Sequence, residues 1–123
     1  MATNLGMWIE QAVGSLNYLE SIKRPEDTWI NTVTSGFYAL KKVNPRAILE
    51  MYMVKALAVK DIIRNRDEVG LEDHLKFDLE YSDDFMARVR DWKGTLSEPV
   101  KKNLWKFHKN LIYLGEMAMD DCL

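Results

Sequence analysis

The chain has 123 residues, of which 47% are hydrophobic and 29% charged, with a net charge of −2 at pH 7. A domain of this length buries on the order of two thirds of the surface its unfolded chain exposes, so it needs no covalent or metal staple. The composition excludes a disordered chain, the near-neutral charge argues against a strongly basic, free-standing nucleic-acid binder, and the lone Cys122 excludes an intramolecular disulfide or a thiolate metal cage.

The first element is a helix over about residues 4–22, because Leu5, Trp8, Ala12, Leu16 and Leu19 recur at steps of three and four after Asn4, an expected N-cap. Pro25 suits the first turn of a second helix, with Glu26 and Asp27 at its positive end and Trp29, Val33, Phe37 and Leu40 as its apolar stripe. Asn44 and Pro45 open a third, and Gly70 is its expected stop. Leu49, Tyr52, Ala56, Val59 and Ile63 fall on one face of that helix, while Met51, Val54, Ala58 and Ile62 fall on another. A helix this apolar around its circumference is central to its bundle or covered by a partner. The stretch from Leu71 to Tyr81 fits a helix by Leu71, Leu75 and Leu79 but alternates like a strand from Leu75 onward; with no second strand to pair with, a short helix is expected. Ser82 then caps a helix with Phe85, Val89 and Trp92 inward and Gly94 as its stop. Ser97 and Pro99 open the last, whose core stripe is Val100, Leu104, Phe107, Leu111 and Leu114. The expected architecture is one all-α domain over residues 1–123, a bundle of five to six helices.

The amino-terminal stretch lacks a positively charged start and carries Glu10 and Gln11 in its apolar run, so no signal peptide is expected. No window approaches 18 uncharged apolar residues, which excludes a transmembrane helix. With the single cysteine, these features predict a cytoplasmic protein.

Charge is unevenly distributed. Residues 23–66 carry nine basic and four acidic side chains, residues 67–84 one basic and eight acidic, and residues 85–110 seven basic and two acidic. No P-loop, glycine-rich dinucleotide turn, HExxH, ExxH or CxxC occurs. The acidic segment is the only cluster that could bind a metal, with His74 and Asp78 one helical turn apart, but it lacks the alternating Asp/Asn loop with its glycine that hard cations require. A solvated acidic face is the better reading. His108 lies at the edge of an apolar stripe with no serine or cysteine at a helical step, and Cys122 sits beside Asp120 and Asp121, which disfavour a thiolate. Neither suggests catalysis, and no metal or cofactor is expected.

The most suggestive stretch is VKKNLWKFHKN, residues 100–110. Projected at about 100° per residue from Lys101, Trp105 falls at about 40°, Lys109 at about 80°, Lys102 at about 100°, Tyr113 at about 120° and Lys106 at about 140°. The core stripe occupies about 220° to 300°, on the opposite side. Lysines neutralise phosphates and an exposed ring stacks on a base, so Lys101, Lys102, Trp105, Lys106 and Lys109 form a candidate surface for single-stranded nucleic acid. The alternative is a solvated outer face with Trp105 packed on another helix or subunit. Lys41, Lys42 and Arg46 make a second basic set, and Lys60, Arg64 and Arg66 a third.

With its segments TVTSGFYALKKV and NLWKFHKNLIYLGEMAMDD, this short helical chain resembles the small subunits of CRISPR effector ribonucleoproteins. The resemblance implies a non-catalytic subunit, stacked in copies along an RNA-guided complex and steadying a target or displaced strand through lysine-rich faces. The expected function is therefore a non-enzymatic subunit of a nucleoprotein assembly, with other subunits and single-stranded nucleic acid as partners. A protein-only interaction module that binds through a Met- and Trp-bearing surface is the alternative.

Overall fold

The structure, a computed structural model, describes residues 3–74 and 82–121. It is an all-α bundle, and no strand occurs among the described residues. The helices are α1 (Asn4–Ile22), α2 (Thr28–Val43), α3 (Pro45–Ala56), α4 (Lys60–Arg64), α5 (Glu68–Asp73), α6 (Asp83–Gly94) and α7 (Glu98–Asp120), with a 3₁₀ turn over Leu57–Val59. Among the described residues no helix is long and apolar enough to cross a membrane.

The start signals act locally, and two of them work as the sequence suggests. Asn44 Oδ1 accepts the Ala47 N–H at 3.2 Å and Ser82 Oγ accepts the Phe85 N–H at 3.2 Å, each meeting a donor that the first helical turn leaves free. At α1 the cap is Thr3, one residue ahead of the expected Asn4: its Oγ1 accepts the Gly6 N–H at 2.9 Å, and the helix covers the expected range. The second helix begins at Thr28, beyond Pro25. Its start is set by Asp27, whose carboxylate turns back to accept from the Arg24 backbone N–H at 2.9 Å and from the guanidinium at 2.9 and 3.0 Å. Ser97 stands at the α7 N-cap position without a side-chain capping bond.

The expected long third helix is divided. The step of three from Ala56 to Val59 matches the 3₁₀ period, so both stay on the buried face through the turn. The stop is Arg66, not Gly70. Arg66 adopts a left-handed φ of 51°, and the bonds Arg66 N–H to Ile63 O and Asp67 N–H to Ile62 O close a Schellman turn. Asp67 then restarts the chain as α5 by accepting the Gly70 N–H at 2.9 Å, which leaves Gly70 inside a helix. The part of the expected short helix over residues 75–81 lies outside the described residues.

Helix α7 is the axis of the bundle. Asn4 bonds Asp121, the Trp8 indole N–H donates to Leu111 O at 3.0 Å, and Tyr18 packs on Phe107, so α1 runs antiparallel to α7. Helix α3 is antiparallel to it as well, from Arg46 beside Ala118 to Tyr52 beside His108. Trp8, Ala12, Leu49, Met53, Leu111 and Ala118 make one buried cluster, and Ala56, Val59, Ile63 and Ile112 a second, with Tyr52 packed against both. Close approach of α3 is possible because residue 115 is glycine: a Cβ there would lie 2.3 Å from Met53 Sδ. Helix α6 is held by Met86, by a T-shaped Trp29–Trp92 contact at 5.2 Å, and by ion pairs from Arg24 to Asp91 and from Lys93 to Glu72. Phe85, expected inward, is 37% exposed, and Met86 next to it takes the buried place.

Candidate nucleic-acid interface

The 23 residues of α7 divide between core and surface along a line that differs from the helical projection. Lys102, Lys106 and Lys109 are exposed, and none forms an ion pair with a described residue. Successive steps of four and three residues place them along one edge of the helix, about 10 Å from first to last. Tyr113, 67% exposed, continues that edge one turn on.

Lys101 and Trp105 belong elsewhere. Both are half-buried; Trp105 packs against the cluster of Ala56, Val59, Ile63 and Ile112, and both border a partly open cavity lined by α1, α2, α5, α6 and α7. The physical reason is Ile112, which projects at about 20° in the same frame, next to Trp105. Ile112 is 5% exposed and draws the buried arc of α7 round to the indole. The exposed aromatic beside the lysines is therefore Tyr113. Ile112 in the sequence is the signal that distinguishes the two rings.

The second basic set is not joined to the first. Lys41 and Lys42 are exposed at the end of α2, with Lys41 Nζ 5.8 Å from the Tyr38 ring. Arg46 serves the fold: its guanidinium pairs with Glu50 at 3.3 Å, donates to Ala118 O at 3.4 Å and approaches Met119 Sδ at 3.9 Å. That places a cation at the carboxyl end of α7, where the helix dipole favours it. Ala118 is nine residues, or about 13 Å, beyond Lys109 along the axis.

The structure instead brings part of the third set to the α7 edge. Lys60 and Arg64 of α4 line a shallow recess with Lys109, Ile112, Tyr113 and Glu116. Lys60 pairs with Glu116 at 2.7 Å, and Arg64 lies 3.7 Å from Asp61 with much of its side chain in solvent. Arg66 turns away to pair with Glu98. On the other flank of the lysine edge, Gln11, Tyr18, Asn103 and Asn110 line a groove between α1 and α7 together with Lys106 and Phe107, and the Asn103 amide donates to the Tyr18 hydroxyl at 3.1 Å.

Compared with known proteins, the chain matches no family model, no curated protein and no solved structure.

The acidic segment is partly spent on ion pairs. Lys93 reaches Glu72 at 2.8 Å and Glu68 at 3.6 Å, and Arg90 reaches Glu72 at 3.5 Å. The Lys93 hydrogen bond holds the Glu72 carboxyl below the usual carboxylate range. Asp78, the suggested metal partner of His74, lies outside the described residues, and so does Cys122. His108 lines the cavity, and its Nδ1 is 3.5 Å from the Tyr52 hydroxyl. Desolvation on the side that borders the cavity lowers the pKa of His108, whose other side is exposed, and desolvation raises that of Tyr52.

Proposed function

We propose that the chain is a non-enzymatic subunit of a nucleoprotein assembly that holds the backbone of a single-stranded nucleic acid along the outer edge of α7. The observation that carries this reading is the row Lys102, Lys106 and Lys109, three exposed ammonium groups without ion-pair partners among the described residues, followed by the exposed Tyr113 ring. Such a row neutralises successive phosphates, the ring offers a base a stacking surface, and Arg64 adds a cation across the recess. A net charge of −2 suits a subunit that contributes one cationic edge to a larger complex. The more specific assignment, to the small subunits of CRISPR effectors, rests on the sequence resemblance alone.

The test is binding of a fluorescein-labelled oligothymidylate or oligouridylate by anisotropy, between about 50 and 200 mM salt. Replacing Lys102, Lys106 and Lys109 together by alanine removes three phosphate contacts, so the slope of log K against log salt should flatten by about 2. An unchanged slope refutes the lysine edge.

One observation favours a protein-only interaction module as the second reading. Val43 at the end of α2, Met51 and Val54 on α3 and Leu57 in the 3₁₀ turn are 82%, 63%, 77% and 50% exposed, apolar side chains left outside the core. A module of that kind would bind no oligonucleotide at any salt concentration.

A further inference from the structure

Along the amino-terminal half of α7, next to the core residue Leu111, lies a cavity of about 310 Å³. Three indoles border it, Trp29, Trp92 and Trp105, together with leucines of α1, α5 and α7. An apolar cavity of roughly 150 Å³ takes up benzene, so this one has room for a bicyclic ring with a short tail. Its charged lining is not symmetric. Glu68 and Lys93 pair with each other at 3.6 Å, and Lys93 also holds Glu72 at 2.8 Å. Lys101 has no ion-pair partner among the described residues, so it leaves one uncompensated positive charge on the wall. Leu96, just ahead of α7, brings the same space to the amino end of a 23-residue helix, whose dipole adds to the attraction for an anion. The His108 imidazole supplies a hydrogen-bonding group to the wall.

We propose that this cavity is a binding site for a small aromatic carboxylic acid, its ring among the indoles and its carboxylate on Lys101. The site is distinct from the α7 edge: Lys102, Lys106 and Lys109 do not line it, so failure of one reading leaves the other standing.

The full chain is titrated calorimetrically with indole-3-acetate and, as the uncharged counterpart, indole-3-ethanol. Indole-3-acetate should bind with one-to-one stoichiometry. Lys101→Met keeps the side-chain stem and removes the charge; it should weaken indole-3-acetate about fivefold and leave indole-3-ethanol unchanged, as a half-exposed ion pair predicts. Val89→Phe, which fills the cavity, should weaken both ligands more than tenfold with the helical circular dichroism unchanged. The Lys102/Lys106/Lys109 alanine variant should bind indole-3-acetate like the parent. No saturable binding at millimolar ligand overturns the proposal. So does a Lys101→Met variant that weakens both ligands alike or neither, or an α7-edge variant that weakens indole-3-acetate as much as Lys101→Met does.

Discussion

Gly36 and Gly115 are both interior to helices, so replacing either by alanine gains the same intrinsic helix propensity, about 1 kcal/mol. What differs is the space. A Cβ on Gly36 meets nothing within 4 Å, whereas one on Gly115 would fall 2.3 Å from Met53 Sδ and 3.2 Å from its Cε. Carbon-sized atoms rest at about 3.5–4.0 Å, and Met53 is 1% exposed, so its side chain can yield only by moving the core around it. Overpacking of this kind costs about 1–3 kcal/mol. Gly36→Ala should therefore stabilise by about 1 kcal/mol, and Gly115→Ala should range from neutral to about 2 kcal/mol destabilising. Urea unfolding followed by circular dichroism measures the difference, about 1–3 kcal/mol between the two variants. In a Met53→Ala background the obstructing sulfur is gone, and Gly115→Ala should regain the stabilisation seen at Gly36. Equal stabilisation by both substitutions in the parent would refute the close approach of α3 to α7.

Three further outcomes follow from the local geometry. Arg66→Gly relieves a left-handed backbone that costs a side-chain-bearing residue about 1–2 kcal/mol, and should stabilise the chain by up to about 1 kcal/mol in the same urea assay, since the ion pair it loses to Glu98 is partly exposed. The Arg24 guanidinium hydrogen bond holds the Asp27 carboxyl below the usual carboxylate range, so the stability it confers is present above the unfolded-state value and lost as pH falls through the folded one. Thermal midpoints measured from pH 6 down to pH 3 should fall less for Asp27→Asn than for the parent. The His108 pKa is depressed, so the unfolded chain binds its proton first and stability declines as pH drops below about 6.5; His108→Gln should remove that part of the decline between pH 7.5 and 5.5.

The legible parts of the fold are those written in neighbouring residues. The caps at Asn44 and Ser82 and the end of α6 at Gly94 each depend on a few adjacent side chains, and the sequence reading places them correctly. The break at Leu57–Val59 was not legible, because a 3₁₀ turn keeps residues three apart on one face and leaves the apolar pattern unchanged. The stop at Arg66 was hidden because glycine is the usual residue for a left-handed cap. At the candidate site, helical projection separates Lys102, Lys106 and Lys109 from the core stripe. It misplaces Lys101 and Trp105 because the core stripe was drawn without Ile112, which carries the buried arc of α7 round to the indole. The cavity was beyond reach because its walls come from five helices, and the projection of one helix holds no information about the other four.

The indole bond from Trp8 to the carbonyl of Leu111 spans 103 positions of chain. As the polypeptide leaves a ribosome, α1 precedes its main packing partner by most of the bundle, so the apolar face around Trp8 and Ala12 can meet Leu49, Met53 and Tyr52 of α3 early but is completed only when α7 has emerged. Closing so long a loop is slow relative to forming the helices themselves, which makes docking of α1 onto α7 the late step of folding.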